Sequence, residues 1–228
     1  MVMEELTLLT FTLISKKITM KNTILKIVFL LALTSSVLTS CVNEDDFDIP
    51  PIKQLVLSEG FDTSTTGSGP TEVPISIEGW LNFNTTSTRL WHARIFSSNK
   101  YAEFSSFFSA NGTNDEAWLI TPALNLTTTE SELFSFDTKI RFWQGAALTV
   151  FVSENYNGTQ AGLATANWIE LAPILPTSSQ ADIFINSGNI DLSAYNSPNV
   201  RIAFKYTGSR AGVTTTYQLD NIKVFENQ

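Results

Sequence analysis

The stretch Asp115-Glu-Ala-Trp-Leu-Ile-Thr-Pro-Ala-Leu-Asn-Leu126 decides the fold class of this chain. An acidic, polar lead-in is followed by the apolar residues 118–120, a Thr-Pro break, and alternation through Leu124 and Leu126. Because proline lacks the N–H that a central strand needs, Pro122 marks a bend. The stretch therefore predicts a strand that enters a core, a bend, and a second short strand that leaves the core.

The rest of the chain from residue 55 onward has the same character and almost no helical periodicity. Short apolar and aromatic runs alternate with Asn-Gly, Ser-Gly and Ser-Pro turns. We find no internal repeat and no second linker, so ten or eleven strands within residues 54–228 predict a single all-β domain built as a two-sheet β-sandwich. The predicted strands include residues 54–57, 89–96, 101–108, 132–142, 147–153, 167–171, 181–185, 200–206 and 217–225.

Residues 20–40 have the pattern of a signal peptide, in which Lys21 and Lys26 precede an apolar run over residues 27–33. A membrane-spanning helix needs about 20 apolar residues, so this run is too short to be one. Met20 begins a signal peptide of ordinary shape, and residues 1–19 are therefore interpreted as an upstream start-site extension.

Cys41, the only cysteine of the chain, ends the sequence Leu38-Thr-Ser-Cys41, which resembles the bacterial lipobox. That resemblance implies a cysteine that is diacylated and becomes the first residue of the mature protein. The alternative is a buried free thiol, but the residues that follow are polar and proline-rich. Residues 41–53, which include Pro50 and Pro51, are interpreted as a lipidated tether ahead of the domain at 54–228.

Three acidic residues in Val42-Asn-Glu-Asp-Asp46 directly follow the cysteine. They resemble the acidic export signal of Bacteroidetes surface lipoproteins, which implies a lipid anchor in the outer membrane and exposure at the cell surface. The alternative is an acidic flexible tether without a targeting role. Several acyl chains anchor a protein stably, at about 0.8 kcal/mol for each buried methylene.

The charge of the chain argues against a nucleic-acid partner. The net charge is −8, and ten of the fourteen basic but twenty of the twenty-two acidic residues follow residue 41. Nucleic-acid phosphates require a positive protein surface. A soluble acidic surface explains the balance by itself.

Several segments, taken in order, carry a family resemblance. They are Glu59-Gly-Phe-Asp62, Gly79-Trp80, Trp118-Leu-Ile-Thr-Pro122, Val150-Phe-Val-Ser153, Trp168, Ile190-Asp-Leu-Ser-Ala-Tyr195, Val200-Arg-Ile-Ala-Phe204 and Leu219-Asp-Asn-Ile-Lys-Val224. Together they resemble the choice-of-anchor J and cleaved-adhesin modules of Bacteroidetes surface proteins, in particular the lipid-anchored DUF5017-like members. The resemblance covers residues 55–226 and implies a jelly-roll β-sandwich similar to carbohydrate-binding modules, without catalytic activity, that serves adhesion or ligand capture.

The residues themselves offer little for catalysis, and we expect a protein that is not an enzyme. His92 is the only histidine, and no nucleophile-elbow or zinc-protease pattern surrounds it. We therefore expect a structural or solvent-facing imidazole at this position. A pair of carboxylates for glycoside hydrolysis stays open, because their separation in space cannot be read from a sequence.

Two kinds of site remain as candidates. Ca²⁺ binds six to eight oxygen ligands, and the resemblance implies a structural calcium ion between the first and last strands. The carboxylates that would match are Glu59, Asp62, Asp115 and Asp220; ordinary surface carboxylates are the alternative.

Sugars stack on exposed aromatic rings. The candidate platform residues are Trp91, Trp143 and Tyr156, whereas Trp80, Trp118 and Trp168 are expected in the core.

The function that these observations favour is the binding of a glycan or another extracellular macromolecule by a non-catalytic cell-surface lipoprotein. A structural or protein–protein interaction module without glycan binding is the alternative.

Overall fold

The computed structural model of the chain describes residues 54–227 and, before them, Lys16 alone. The predicted start-site extension, signal peptide, lipidated Cys41 and tether therefore lie outside the described residues, apart from Lys16. Within the described part, no helix has the length and the apolar character needed to cross a bilayer.

Residues 54–227 form twelve β-strands joined by loops and short 3-10 turns. The strands are β1 (Leu55–Glu59), β2 (Leu81–Asn84), β3 (His92–Phe96), β4 (Asn99–Phe104), β5 (Asn114–Ile120), β6 (Glu132–Arg141), β7 (Leu148–Ser153), β8 (Ile169–Glu170), β9 (Ile185–Asn186), β10 (Ile190–Asp191), β11 (Arg201–Ser209) and β12 (Thr216–Glu226).

These strands make two antiparallel sheets. The seven-stranded sheet has the order β10-β6-β12-β4-β3, with β1 paired to β12 and β9 paired to β6. The five-stranded sheet has the order β2-β5-β11-β7-β8. The prediction of an all-β, two-sheet jelly-roll β-sandwich is confirmed.

The main core lies between the sheets. Successive side chains of a strand point to opposite faces, so every second residue enters this core. On β6 the side chains of Phe134, Phe136 and Ile140 are fully buried and point inward. They meet Phe204 of β11, whose ring lies 5.0 Å from the ring of Phe136 in an edge-on arrangement. Strand β12 pairs with β6 over nine register positions and is interrupted by a bulge near Asn221.

A second apolar cluster lies on the other side of the five-stranded sheet. Along β5, Leu119 belongs to the main core, whereas its neighbours Trp118 and Ile120 belong to the second cluster. The ring of Trp118 lies 5.4 Å from that of Trp168. The expectation that Trp118 and Trp80 are buried is confirmed, but Trp118 lies outside the main core.

Two predicted strands are shorter than expected. The strand after Pro122 is reduced to a single bridge between Leu124 and Val200. Of residues 181–185, only Ile185 enters a strand. The reason is Asp182, whose φ of 64° lies in the left-handed region, so the chain cannot extend there.

Candidate functional site

A cleft of about 430 Å³ opens on the outer face of the seven-stranded sheet. We call it the phenylalanine cleft. Strands β3, β4, β6 and β12 supply its floor, since every second side chain of a strand points away from the core. Five connecting segments supply the rest of its lining. Its lining residues are Glu72, Arg89, Arg94, Glu103, Ser105, Phe107, Phe108, Arg141, Phe142, Gln144, Thr214 and Thr216.

Three phenylalanines of this cleft are unusually exposed: Phe107 at 57%, Phe108 at 68% and Phe142 at 69%. Phe107 and Phe108 lie in a 3-10 turn after β4, where the side chain of Ser105 accepts a hydrogen bond from the Phe107 N–H. The backbone of Phe142 has a φ of 51°, and this left-handed conformation ends β6 and turns the ring outward. Exposed apolar groups that converge in one place indicate a binding surface.

The floor beneath these rings consists of charged side chains that form ion pairs with one another. Arg89 holds the carboxylate of Glu72 with two hydrogen bonds, one of them from Nε at 2.9 Å. Arg94 lies between two carboxylates, 3.8 Å from Glu72 and 3.5 Å from Glu103. The buried His92 ring lies between the same carboxylates, at 3.7 Å and 3.6 Å from its Nε2 atom.

This environment keeps both carboxylates ionised. Burial by itself would raise the pKa of Glu72, but the hydrogen-bonded guanidinium of Arg89 lowers it below its ordinary value. Burial likewise raises the pKa of Glu103, but the nearby His92 ring and the hydrogen bond from the Gln218 amide lower it below its ordinary value. The cleft therefore presents fixed charges at neutral pH.

The floor also contains polar atoms that the described protein residues do not satisfy. Arg89 Nη1, His92 Nε2 and Gln218 Oε1 are buried and have no hydrogen-bond partner among residues 54–227. Buried polar atoms are ordinarily paired with protein or with ordered water.

A second cleft of about 500 Å³ adjoins the first and shares Glu72, Arg89 and Phe108 with it. Arg89 lies over the Phe108 ring at 5.7 Å, so these two residues form the ridge between the clefts. Together the clefts offer an extended path across this side of the molecule.

The predicted aromatic platform is not where the sequence placed it. Trp91 is 0% exposed and its Nε1 donates to the Ala117 carbonyl at 3.3 Å, so it belongs to the core. Tyr156 is 1% exposed and packs against Trp168 at 5.0 Å; burial raises the pKa of its hydroxyl to about 12. Neither ring offers a face to a ligand, and both predictions were wrong. Trp143 is half-buried and packs against the core, while its neighbour Phe142 lines the cleft.

The four predicted metal ligands separate into two groups. Asp62 and Asp220 flank Gly60, where an added Cβ would lie 3.4 Å and 3.7 Å from their carboxylate oxygens. Glu59 is close to Asp62, whose charge contributes to raising the Glu59 pKa after burial. Across residues 54–227, no three acidic, histidine or cysteine side chains converge as a metal site.

Asp115 lies in the five-stranded sheet, apart from the other three carboxylates. Its buried carboxylate accepts hydrogen bonds from Asn84, Ser87 and Ser109. These hydroxyl and amide donors occupy the oxygens that a metal would need, so Asp115 is a structural residue. The prediction that it joins a calcium site was wrong.

Sequence reasoning missed the residues that line the phenylalanine cleft. Phe107 and Phe108 were assigned to the predicted strand 101–108. Phe142 was counted as the last residue of another predicted strand, 132–142. The available signal was local: a Ser-Ser-Phe-Phe-Ser segment favours a capped turn over a strand.

Comparisons with solved structures found distant matches. The K1 cleaved adhesin domain of Lys-gingipain from Porphyromonas gingivalis W83 has 17% identity and a TM-score of 0.48, covering 75% of this chain and 98% of that chain. TmCBM61, solved with β-1,4-galactotriose, has 13% identity and a TM-score of 0.46, covering 76% and 99%. The mannan-recognising module TmCBM27 has 11% identity and a TM-score of 0.44, covering 77% and 99%. No family model and no curated protein matches the chain. At these identities and TM-scores, the ligands of those proteins do not transfer to this chain.

Proposed function

We propose that this protein is a non-catalytic surface lipoprotein, of the choice-of-anchor J and cleaved-adhesin type, that binds a glycan in the phenylalanine cleft. A lipid on Cys41 holds it in the outer membrane. The observation that carries the binding site is the convergence of Phe107, Phe108 and Phe142 over an ionised, hydrogen-bonding floor.

This combination suits a sugar, which has apolar ring faces and hydroxyl edges. The apolar faces pack on aromatic rings, and the hydroxyls bind carboxylates, guanidiniums and amides. The side chains of Glu72 and Glu103 are already held in place by ion pairs, so little conformational entropy is lost when a ligand binds them.

The test compares two phenylalanines of equal exposure. Affinity electrophoresis against a panel of soluble polysaccharides uses the chain from residue 41 with Cys41→Ser. We expect Phe142→Ala to weaken binding about tenfold or more, which corresponds to a loss of about 1.4 kcal/mol or more. Phe96→Ala is the matched control, because Phe96 is 70% exposed and lies at the β3–β4 hairpin outside the cleft. Equal binding by both variants, or no binding to any polysaccharide, contradicts the proposal.

The alternative is a protein-interaction module. Three exposed phenylalanines beside arginines also resemble the apolar anchors of protein interfaces. A panel in which no glycan binds, together with a purified extracellular protein whose binding is lost in Phe142→Ala and kept in Phe96→Ala, would favour this alternative.

A further inference from the structure

Two cations lie side by side on the outer face of β6, at the edge of the phenylalanine cleft. Lys139 and Arg141 are two residues apart on one strand and therefore point to the same side. The guanidinium of Arg141 lies 5.0 Å from the centre of the Phe142 ring. The ammonium of Lys139 lies 4.6 Å from the Phe184 ring centre and 5.6 Å from that of Tyr101.

The charges of these two side chains are only partly compensated. Arg141 binds Asp182 through Nε at 2.7 Å, and both side chains remain substantially exposed. Lys139 forms no ion pair with any residue of the part of the chain that the structure describes. Partial burial, and after it the charge of Arg141, lower the pKa of Lys139 against the weaker opposing effects of Asp182 and Glu103. An added anion would relieve this repulsion.

The other cationic side chains of the cleft are each in contact with one or two carboxylates. Arg89 is held by Glu72, and Arg94 lies between Glu72 and Glu103. The chain as a whole carries a net charge of −8, so two neighbouring cations with a single carboxylate partner are not a consequence of a basic composition. Lys139 and Arg141 are therefore the groups available to an anionic ligand.

Resting on the proposed glycan site, we propose that the ligand is an acidic polysaccharide, a polyuronate whose carboxylate is bound by Arg141 and Lys139. A uronic acid carries its carboxylate directly on the sugar ring. A ring packed on Phe142 thus brings the carboxylate within reach of the guanidinium beside it. Arginine binds carboxylates through two parallel hydrogen bonds, which gives geometric selection in addition to charge.

The experiment compares three polymers. Polygalacturonate is the acidic glycan, methyl-esterified polygalacturonate keeps the sugar rings without the charge, and polyglutamate keeps the charge without the rings. Binding is measured at about 50 mM and about 300 mM NaCl, since salt screens exposed charges over this range. We expect polygalacturonate to bind at least tenfold more tightly than its ester, with an affinity that falls with salt, and polyglutamate to bind weakly.

Variants locate the effect. Arg141→Gln should lower polygalacturonate affinity about tenfold and flatten its salt dependence, while Arg141→Lys should restore part of the salt dependence. Phe142→Ala should weaken both galacturonan polymers. Lys223→Gln is the control, because Lys223 is exposed on β12 and lines none of the clefts. Unfolding midpoints equal to that of the wild type establish that the variants are folded.

The possible failures are distinguishable. Equal binding of the polymer and its ester, or binding of neutral glycans alone, overturns the acidic ligand and leaves the glycan site standing. Binding of polyglutamate as tight as that of polygalacturonate, unchanged in Phe142→Ala, shows recognition of charge without sugar and also overturns the inference. Failure of every glycan to bind overturns the proposed function, and this inference with it.

Discussion

The carboxylate of Asp115 joins three segments of the chain at a single buried point. It accepts a hydrogen bond from Asn84 Nδ2 at 3.1 Å and further hydrogen bonds from the hydroxyls of Ser87 and Ser109. Burial would raise the pKa of Asp115, but the hydrogen bonds from Ser109 and Ser87 lower it below its ordinary value. The charged form is therefore the one that the fold stabilises.

Asp115→Asn should destabilise the protein by about 1–3 kcal/mol, because an amide NH₂ faces hydroxyl and amide donors that lose their acceptor. The folded-state pKa is depressed, so the stability due to Asp115 is present above the unfolded value of about 3.9 and is lost as the pH falls through the folded value. Urea unfolding between about pH 2 and pH 6 should show a shallower acid decline in Asp115→Asn than in the wild type. A variant at the exposed Glu170 serves as control, and parallel curves for Asp115→Asn and the wild type would contradict the prediction.

At the level of single residues, the sequence predicted burial better than it predicted exposure. Trp80 and Trp118 were expected in the interior and are buried. Trp91 was offered as a ligand platform, but the Ala117 carbonyl satisfies its N–H inside the core. Trp143 was expected to face a ligand, but Phe142 lines the cleft and Trp143 packs against the core. The left-handed backbone at Phe142 determines which of the two rings faces outward. Alternation along a strand cannot anticipate a change of backbone conformation at its end.

Among the elements, the turn before β2 explains why two segments of the family resemblance occur together. Gly79 has a φ of 78°, and a Cβ on it would lie 3.0 Å from the Cβ of Pro122. The bend after β5 therefore packs against the turn that leads to Trp80. Only a glycine combines the left-handed backbone with this close approach.

Gly79→Ala should lower the free energy of unfolding by about 1–2 kcal/mol because alanine is strained in the left-handed backbone conformation. The new Cβ also collides with Pro122, and this contact should add to the loss of stability. Gly112→Ala isolates the backbone cost, since Gly112 has a similar φ of 79° and open space around its Cα. The measurement is the urea midpoint of each variant. A Gly79→Ala variant no less stable than Gly112→Ala would show that the contact with Pro122 is unimportant.

The junction of β1 and β12 is the place to test the predicted calcium ion. Burial raises the pKa of Asp220 against the opposing hydrogen bonds from Asn99 and from the Asn221 N–H, and the charges of Asp137 and Asp62 add to the rise. A divalent cation would offset this repulsion. The calcium hypothesis predicts that added Ca²⁺ raises the melting temperature, that EDTA reverses the effect, and that Asp220→Asn removes it, although no three acidic side chains of residues 54–227 converge as a metal site.

The control for calcium is Asp182→Asn. This variant also removes one carboxylate, but Asp182 is paired with Arg141 and does not belong to the β1–β12 junction. A melting temperature that neither Ca²⁺ nor EDTA alters would end the calcium hypothesis. The carboxylates would then be ordinary charged groups at the strand ends.

Most strands were predictable, and the reasons that some were not are local. Strand β6 alternates between buried and outward residues over most of its length, and β12 does so after its first five residues, which are all buried. Strand β9 has two residues, and the positive φ of Asp182 shortens it. An aspartate tolerates that conformation better than most residues, but the sequence alone does not show that it adopts it.

For the molecule as a whole, the position of the phenylalanine cleft follows from topology. The phenylalanine cleft joins Glu72, Phe108, Phe142 and Thr214, which are remote in sequence and meet because β3, β4, β12 and β6 are neighbours in one sheet. The sequence predicted the two sheets but not their strand order, so it could not place these residues together. Composition and the resemblance predicted a non-catalytic binding protein, and the fold was needed to find the candidate cleft.

The proposed lipid anchor makes a prediction about the complete chain. Cys41→Ser should move the protein from the membrane fraction to the soluble fraction, because acyl chains supply about 0.8 kcal/mol for each buried methylene and no described helix replaces them. Labelled fatty acid should be incorporated by the wild type alone. The unfolding midpoint and glycan affinity of Cys41→Ser should match those of the wild type, since the twelve strands begin at Leu55. Retention of Cys41→Ser in the membrane fraction would show that another part of the chain is responsible for attachment.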